Sequence, residues 1–188
     1  MNMKRRIIIQ VVLFICCTWH SPSFAGDVHA KQPLKSDTMV IEYQPIGTFL
    51  TELSPQTGAP RQGALVPENH GVIEIYKQYH EALKDLDQCD YIIVLYHMHL
   101  SKRWHPLVHP PNSNKDFGLF ATRSPNRPNS IGFSVIKLDK IVEGKLYVSG
   151  IDAYHGTPVL DIKPWLPSID CPNHRYNPST EKNLGIIE

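Results

Sequence analysis

Ile131-Gly132-Phe133-Ser134-Val135-Ile136-Lys137-Leu138-Asp139-Lys140-Ile141-Val142, then Glu143-Gly144, then Lys145-Leu146-Tyr147-Val148-Ser149-Gly150-Ile151-Asp152-Ala153, is two alternating runs about a turn. Apolar and polar residues exchange at a period of two, so each run has an inward and an outward face. Glu143-Gly144 sits where a hairpin turn belongs. Outward from this pair the chain repeats the theme. Residues 39–49 carry β-branched and aromatic side chains and read as a first strand. Residues 71–75 make a short strand. Residues 91–100 are the most apolar run after the N-terminal segment and read as a central strand. Short strands follow at 118–121 and 159–162, the last ended by Pro164 and Pro167. Between them, 51–67 and 101–115 are rich in turn formers and read as loops. Residues 77–86 place Tyr79, Ala82, Leu83 and Leu86 at helical intervals, with Asp85 and Asp87 near the end, and read as the one good helix.

Many short strands, turn signals between them and one or two helices predict a mainly β domain. A small closed β-barrel or a sandwich fits this better than a doubly wound α/β sheet. Sixteen Pro and eleven Gly in 188 residues agree with a loop-rich chain. At 41% apolar and 20% charged residues the composition is that of a globular protein, and the length suffices for one core.

The N-terminal segment is different in kind. Lys4, Arg5 and Arg6 precede an apolar run over 7–19, and Ser23-Phe24-Ala25 puts small residues where a signal peptidase reads them. That is the pattern of a secretory signal peptide, with an uncleaved N-terminal anchor as the alternative. The apolar run falls short of the ~20 residues a membrane span needs. The segmentation read from the sequence is therefore 1–25 signal peptide or anchor, 26–38 linker, 39–167 barrel domain and 168–188 polar tail. The expected location is periplasmic or secreted, with the cytoplasm as the alternative. Removing 1–25 leaves 16 Lys and Arg against 18 Asp and Glu, a net charge of about −2. That is not the basic coat of a generic nucleic-acid binder. Cys89 and Cys171 remain, either as a disulfide or as two separate thiols.

The densest chemical signal is residues 120–132, Phe-Ala-Thr-Arg-Ser-Pro-Asn-Arg-Pro-Asn-Ser-Ile-Gly. Arg123 and Arg127 lie on a loop stiffened by Pro125 and Pro128, and stiffness lowers the entropy lost on binding. Each arginine is a permanently charged fork suited to a carboxylate or phosphate. From 101 to 130 five cations, Lys102, Arg103, Lys115, Arg123 and Arg127, face Asp116 alone, with Trp104, Phe117 and Phe120 interleaved. Cations with aromatics suit a nucleotide or single-stranded nucleic acid. A second signal is Tyr154-His155-Gly156-Thr157-Pro158, followed by Asp161 and Lys163 on one strand face. Pro60-Arg61-Gln62 in the first long loop is a third. His97 and His99 share a strand face, and with His105 and His109 they make a metal site conceivable, though no Cys or carboxylate joins them at ligand spacing. No Gly-x-Gly-x-x-Gly follows a strand, so the common dinucleotide and P-loop readings lack support.

The strings at 117–132 and 156–164, with Pro45-Ile46-Gly47, Pro60-Arg61-Gln62 and the strand end at 95–101 with His99, closely resemble the TsaA-like family of TrmO-type tRNA methyltransferases. The resemblance covers about residues 40–167. It implies a small TsaA-like β-barrel that forms a homodimer, binds S-adenosyl-L-methionine and methylates N6 of threonylcarbamoyladenosine beside the anticodon of tRNA. By position it places cofactor contacts at Pro60, Arg61, Gln62, His99, Leu100, Arg123, Phe133, His155, Gly156, Thr157 and Pro158. Asp161 and Tyr154 are the candidates for a base. Two residues depart from the family pattern: His155 stands where Asp is usual, and Ser130 where Pro is usual. An alternative reading is an exported S-adenosylmethionine- or nucleotide-binding barrel without tRNA methylation, and a further one is a His-based metal-binding protein.

Overall fold

The strand-forming runs close on themselves in the computed structural model, which describes residues 40–111, 113–171 and 178–183. The leader and linker readings over 1–38 lie outside the described residues. Eight strands are present among those described: β1 Gly47–Leu50, β2 His70–Ile75, β3 Tyr91–His97, β4 Leu107–Val108, β5 Phe117–Gly118, β6 Ile131–Val142, β7 Lys145–Ser149 and β8 Pro158–Pro164. Six of them form a closed barrel in the order β1-β2-β7-β6-β3-β8, and β4 pairs with β5 apart from it. Every pairing is antiparallel, and β8 closes the barrel with Val159 opposite Gly47. Closure leaves these strands no unpaired edge.

Alternation decides which side chains fill the interior. On β3 Ile92, Val94 and Tyr96 are buried and their neighbours are not. On β6 Gly132, Ser134, Ile136 and Leu138 are buried. Phe49, Ile73, Ile92, Ile136, Leu146, Val148, Ile151 and Val159 complete a core with almost no exposed surface. The expected hairpin at Glu143-Gly144 is present. Both residues have positive φ, 49° and 78°, the combination whose twist matches a two-residue hairpin.

The elements differ from expectation in physical detail. The strand expected over 39–49 enters the ladder only at Gly47. Residues 77–86 are not an α-helix: Lys77–Leu83 and Leu86–Gln88 are 3₁₀ turns. No side chain caps the start at Tyr76, and Asp85 takes a left-handed φ of 64°, which stops any helix there. The strand expected over 145–153 ends at Ser149 because Gly150, with φ of 73°, turns the chain. Leu119–Ala121, expected to continue a strand, is a 3₁₀ turn. The loop over 101–115 contains β4. The α-helices, Pro167–Asp170 (α1) and Pro178–Asn183 (α2), lie in the polar tail, and Pro167 suits a first helical position. Cys89 and Cys171 are both free thiols.

Two ladders are irregular. The register between β3 and β8 shifts at Leu95/Tyr96, and that between β6 and β7 shifts at Leu138/Lys140. Such bulges re-aim side chains locally. The first adjoins the cavity described next.

Candidate functional site

At the end of the barrel where β3 stops and β6 and β8 begin, there is a cavity of about 670 Å³. Three chain segments reach it from the barrel and two loops, 59–62 and 122–127, roof it. Its volume lies in the ordinary range for a small-molecule site, ~300–1,000 Å³.

The floor comes from the strands. Tyr96 is the last inward residue of β3, and its ring packs edge-on to Phe49 at 5.6 Å. Its hydroxyl donates to Asp152 Oδ1 at 3.3 Å, and Ser134 Oγ donates to the same oxygen at 2.8 Å. The two hydroxyls are 3.0 Å apart. Gly63 N donates to the other carboxylate oxygen at 3.1 Å. Burial first, and the Asp152 charge second, push the Tyr96 hydroxyl well above its ordinary pKa. It therefore keeps its proton and acts as a donor. Gly132 allows this arrangement: a Cβ there would lie 2.1 Å from the Tyr96 ring.

The roof is cationic and tied in place. Arg123 Nη1 donates to Gln62 Oε1 at 2.6 Å, and Gln62 Nε2 donates to Arg61 O at 2.6 Å. Arg127 Nη1 donates to Thr122 O at 3.0 Å, with Leu119 O and Ser124 O further off, and its guanidinium stands over the Phe120 ring. Arg127 thus clamps its own loop. Asn126 Oδ1 accepts from Lys102 N at 2.7 Å, and Ser101 and Ser130 join their hydroxyls at 2.6 Å, fastening the two loops together. Arg61, Lys102, Arg123 and Arg127 all line the cavity, and Asp152 is the carboxylate among the described lining residues.

The remaining wall is mixed. Thr157 Oγ1 lies 3.3 Å from His99 Nδ1. Burial first, then the neighbouring His97, lower the His99 pKa, which favours the neutral ring. Leu100, Ile131 and Phe133 leave large apolar surface exposed at the rim. That combination suits a ligand that carries both a flat apolar group and charged groups.

Of the residues expected from the sequence, Pro60, Arg61, Gln62, His99, Leu100, Arg123, Phe133 and Thr157 line this cavity, and so does Tyr154. His155, Gly156 and Pro158 do not. His155 Nδ1 sits between Thr51 N at 3.3 Å and Thr51 O at 3.1 Å. Gly156, with φ of 78°, makes the turn, and its N donates to Phe49 O. Asp161 also lies outside the cavity lining. It pairs with Lys163 Nζ at 2.5 Å and accepts from Ile162 N. His109 pairs with Asp116 at 3.0 Å, and among the described residues no three His, Cys, Asp or Glu side chains converge as a metal site requires. Sequence reasoning missed Tyr96, Ser134 and Asp152. A usable signal existed for the first two: each is a polar-tipped residue at an inward position of an alternating strand.

The chain matches the family model described as tRNA-methyltransferase O N-terminal domain over residues 48–171. It is 35% identical to a probable S-adenosyl-L-methionine-binding protein of Pyrococcus abyssi over 150 residues, covering 80% of this chain and 82% of that one. It is 36% identical to the human tRNA (adenine(37)-N6)-methyltransferase over 163 residues, 82% of this chain but 36% of the human protein. The chain thus spans about a third of that enzyme. Among solved structures, a crystal structure of TrmO from Pseudomonas aeruginosa superimposes with a TM-score of 0.60 at 35% identity, covering 73% of this chain and 62% of that one.

Proposed function

The chain belongs to the TrmO family, and on that premise we propose that it is an S-adenosyl-L-methionine-dependent methyltransferase acting on tRNA. The proposed acceptor is N6 of threonylcarbamoyladenosine beside the anticodon. The observation that carries the proposal is the make-up of the cavity lining: arginines, one carboxylate and the exposed apolar side chains of Leu100, Ile131 and Phe133. The donor has the matching parts, namely a carboxylate, two cationic groups and a flat adenine. The residues present therefore fit it.

Bound there, S-adenosylmethionine supplies a methyl group on a sulfonium, open to in-line displacement. The protein's share is alignment and exclusion of water. In this reading Arg123, preset by Gln62, takes the donor's carboxylate, because a guanidinium already fixed loses little entropy on pairing. Phe133 and Leu100 cover the adenine. Pro60, Arg61 and Gln62 hold the roof over it, and Thr157 with neutral His99 offers a polar edge. Tyr96 holds its proton too firmly to serve as a base. Of the two bases named from the sequence, Tyr154 is the one that lines the cavity. The exposed Leu100, Ile131 and Phe133 also support a homodimer in which a second copy covers part of the rim. Light scattering of the purified protein checks that point.

Incubation with methyl-labelled donor and tRNA bearing threonylcarbamoyladenosine, followed by nucleoside analysis, tests the activity. Label in that nucleoside supports it; label bound by the protein but never transferred removes the tRNA reaction. A second reading rests on the leader pattern of residues 1–25: an exported barrel that binds the same donor without methylating tRNA. Cell fractionation with N-terminal sequencing separates the two. A chain beginning at Gly26 in an exported fraction favours the second reading.

A further inference from the structure

Asp152 stands out on the cavity floor for what surrounds it. Its carboxylate accepts from Ser134 Oγ, from Tyr96 Oη and from Gly63 N, three donors on two oxygens. With that many donors on it, the carboxylate is held in one orientation. Two oxygens offer about four lone-pair directions, so capacity remains toward the cavity that Asp152 lines. The rest of the charged lining is cationic, so a cationic group entering the cavity finds its counter-charge at Asp152.

The fold protects this charge at some structural cost. Gly63 is required for the third donor, since a Cβ there would lie 2.0 Å from Gly150 O. Gly132 is required for the second, since a Cβ there would strike the Tyr96 ring. Ser134 is polar at a core-facing position of β6, and its hydroxyl is committed to Asp152. The Tyr96 hydroxyl, held protonated by burial and by the Asp152 charge, can only support that carboxylate and cannot replace it. A purely structural tie between β3, β6 and the segment after β7 needs no carboxylate facing a cavity, and a carboxylate is costly to take out of water.

We propose that Asp152 is a specificity-determining residue: a fixed counter-charge that selects ligands carrying a cationic group in the amino-acid half, near the carboxylate that Arg123 takes. The inference rests on the reading of the cavity as an S-adenosylmethionine site. Within that site it assigns the floor a role distinct from proton removal. The two side chains then recognise opposite charges of one zwitterionic ligand, and a nucleoside lacking those charges gains nothing from either.

Calorimetric titration separates this from a structural role. The wild-type chain and Asp152→Asn, which keeps the shape and removes the charge, are titrated with S-adenosylmethionine, S-adenosylhomocysteine and 5′-methylthioadenosine. The last shares the nucleoside and thioether but has no charged group. Asp152→Asn is expected to lose about tenfold or more in affinity for S-adenosylmethionine, the loss of one charge-assisted contact, while binding 5′-methylthioadenosine within about threefold of wild type. S-adenosylhomocysteine then locates the cation: retained binding points to the sulfonium, lost binding to the ammonium, and either outcome agrees with the proposal. Equal losses for all three ligands, or no loss for any, overturn it. Should Asp152→Asn fail to fold, Asp152→Ser, which leaves room for water, goes through the same three titrations, and the same patterns of loss support or overturn the proposal. A wild-type chain that binds none of the three sinks the underlying site reading instead.

Discussion

Single residues carry the sharpest tests. Arg123 is held by Gln62 with its charge facing the cavity. We expect Arg123→Ala to abolish measurable binding of S-adenosylmethionine by calorimetry while the thermal unfolding midpoint moves little, since the side chain is at the surface. Unchanged affinity removes Arg123 from the site. Gly132→Ala works differently. The added methyl group would overlap the Tyr96 ring, which must then shift and loosen its hold on Asp152. A loss of about 1–3 kcal/mol in urea unfolding, as overpacking generally costs, is expected together with weaker donor binding. At this scale the sequence was partly legible. Arg123 and Gln62 stand in strings that resemble a family, Phe133 follows one directly, and all three line the cavity. Asp152 does not stand out, because its role depends on Ser134, Tyr96 and Gly63 meeting across long stretches of chain. His155 stood out for departing from the family pattern, yet its ring bonds the backbone of Thr51 away from the cavity lining.

At the scale of elements, alternation was a reliable guide and helical spacing was not. The runs around Glu143-Gly144 form β6 and β7 because a period of two, an inward apolar face and a compatible turn all agree. The 77–86 segment had the spacing of a helix but no cap, and Asp85 breaks the chain's handedness, so only 3₁₀ turns form. Those turns still serve the barrel: His80 Nε2 donates to Ile75 O, and the imidazole lies directly against Gly144. Gly144→Ala meets two obstacles, a φ of 78° and a Cβ position 2.1 Å from His80 Nε2. We expect a loss of about 1 kcal/mol or more, larger than the ordinary Gly-to-Ala cost at positive φ, read from denaturant melts. A stability equal to wild type contradicts this packing of the hairpin against residues 77–83.

The whole molecule shows how much of its behaviour with pH is set away from the cavity. Asp139 sits at the β6 bulge, where burial raises its pKa but hydrogen bonds from Ser149 and Lys137, with the Lys137 charge, outweigh it and hold it below the usual carboxylate range. A depressed carboxylate stays charged in the fold after the unfolded chain has begun to take up its proton. Its contribution is therefore present above the ordinary carboxylate pKa and is lost as the pH falls below it. Ser149→Ala should make unfolding free energy depend less steeply on pH in that acid range, measured by urea melts from neutral pH downward. An unchanged slope means the Ser149 bond does not set the Asp139 titration. The fold class was readable at this scale because short alternating strands with tight turns close naturally into a barrel. The two bulges and the end at which the cavity opens were not, since register shifts leave no mark in composition or periodicity.

Whether the cavity is the donor site is decided most simply by a crystal structure of this chain grown with S-adenosylhomocysteine. Density is expected in the cavity roofed by Arg123 and floored by Asp152, with the adenine at Phe133 and the carboxylate at Arg123. Density at another surface, or a cavity filled only by solvent at millimolar ligand, contradicts that assignment.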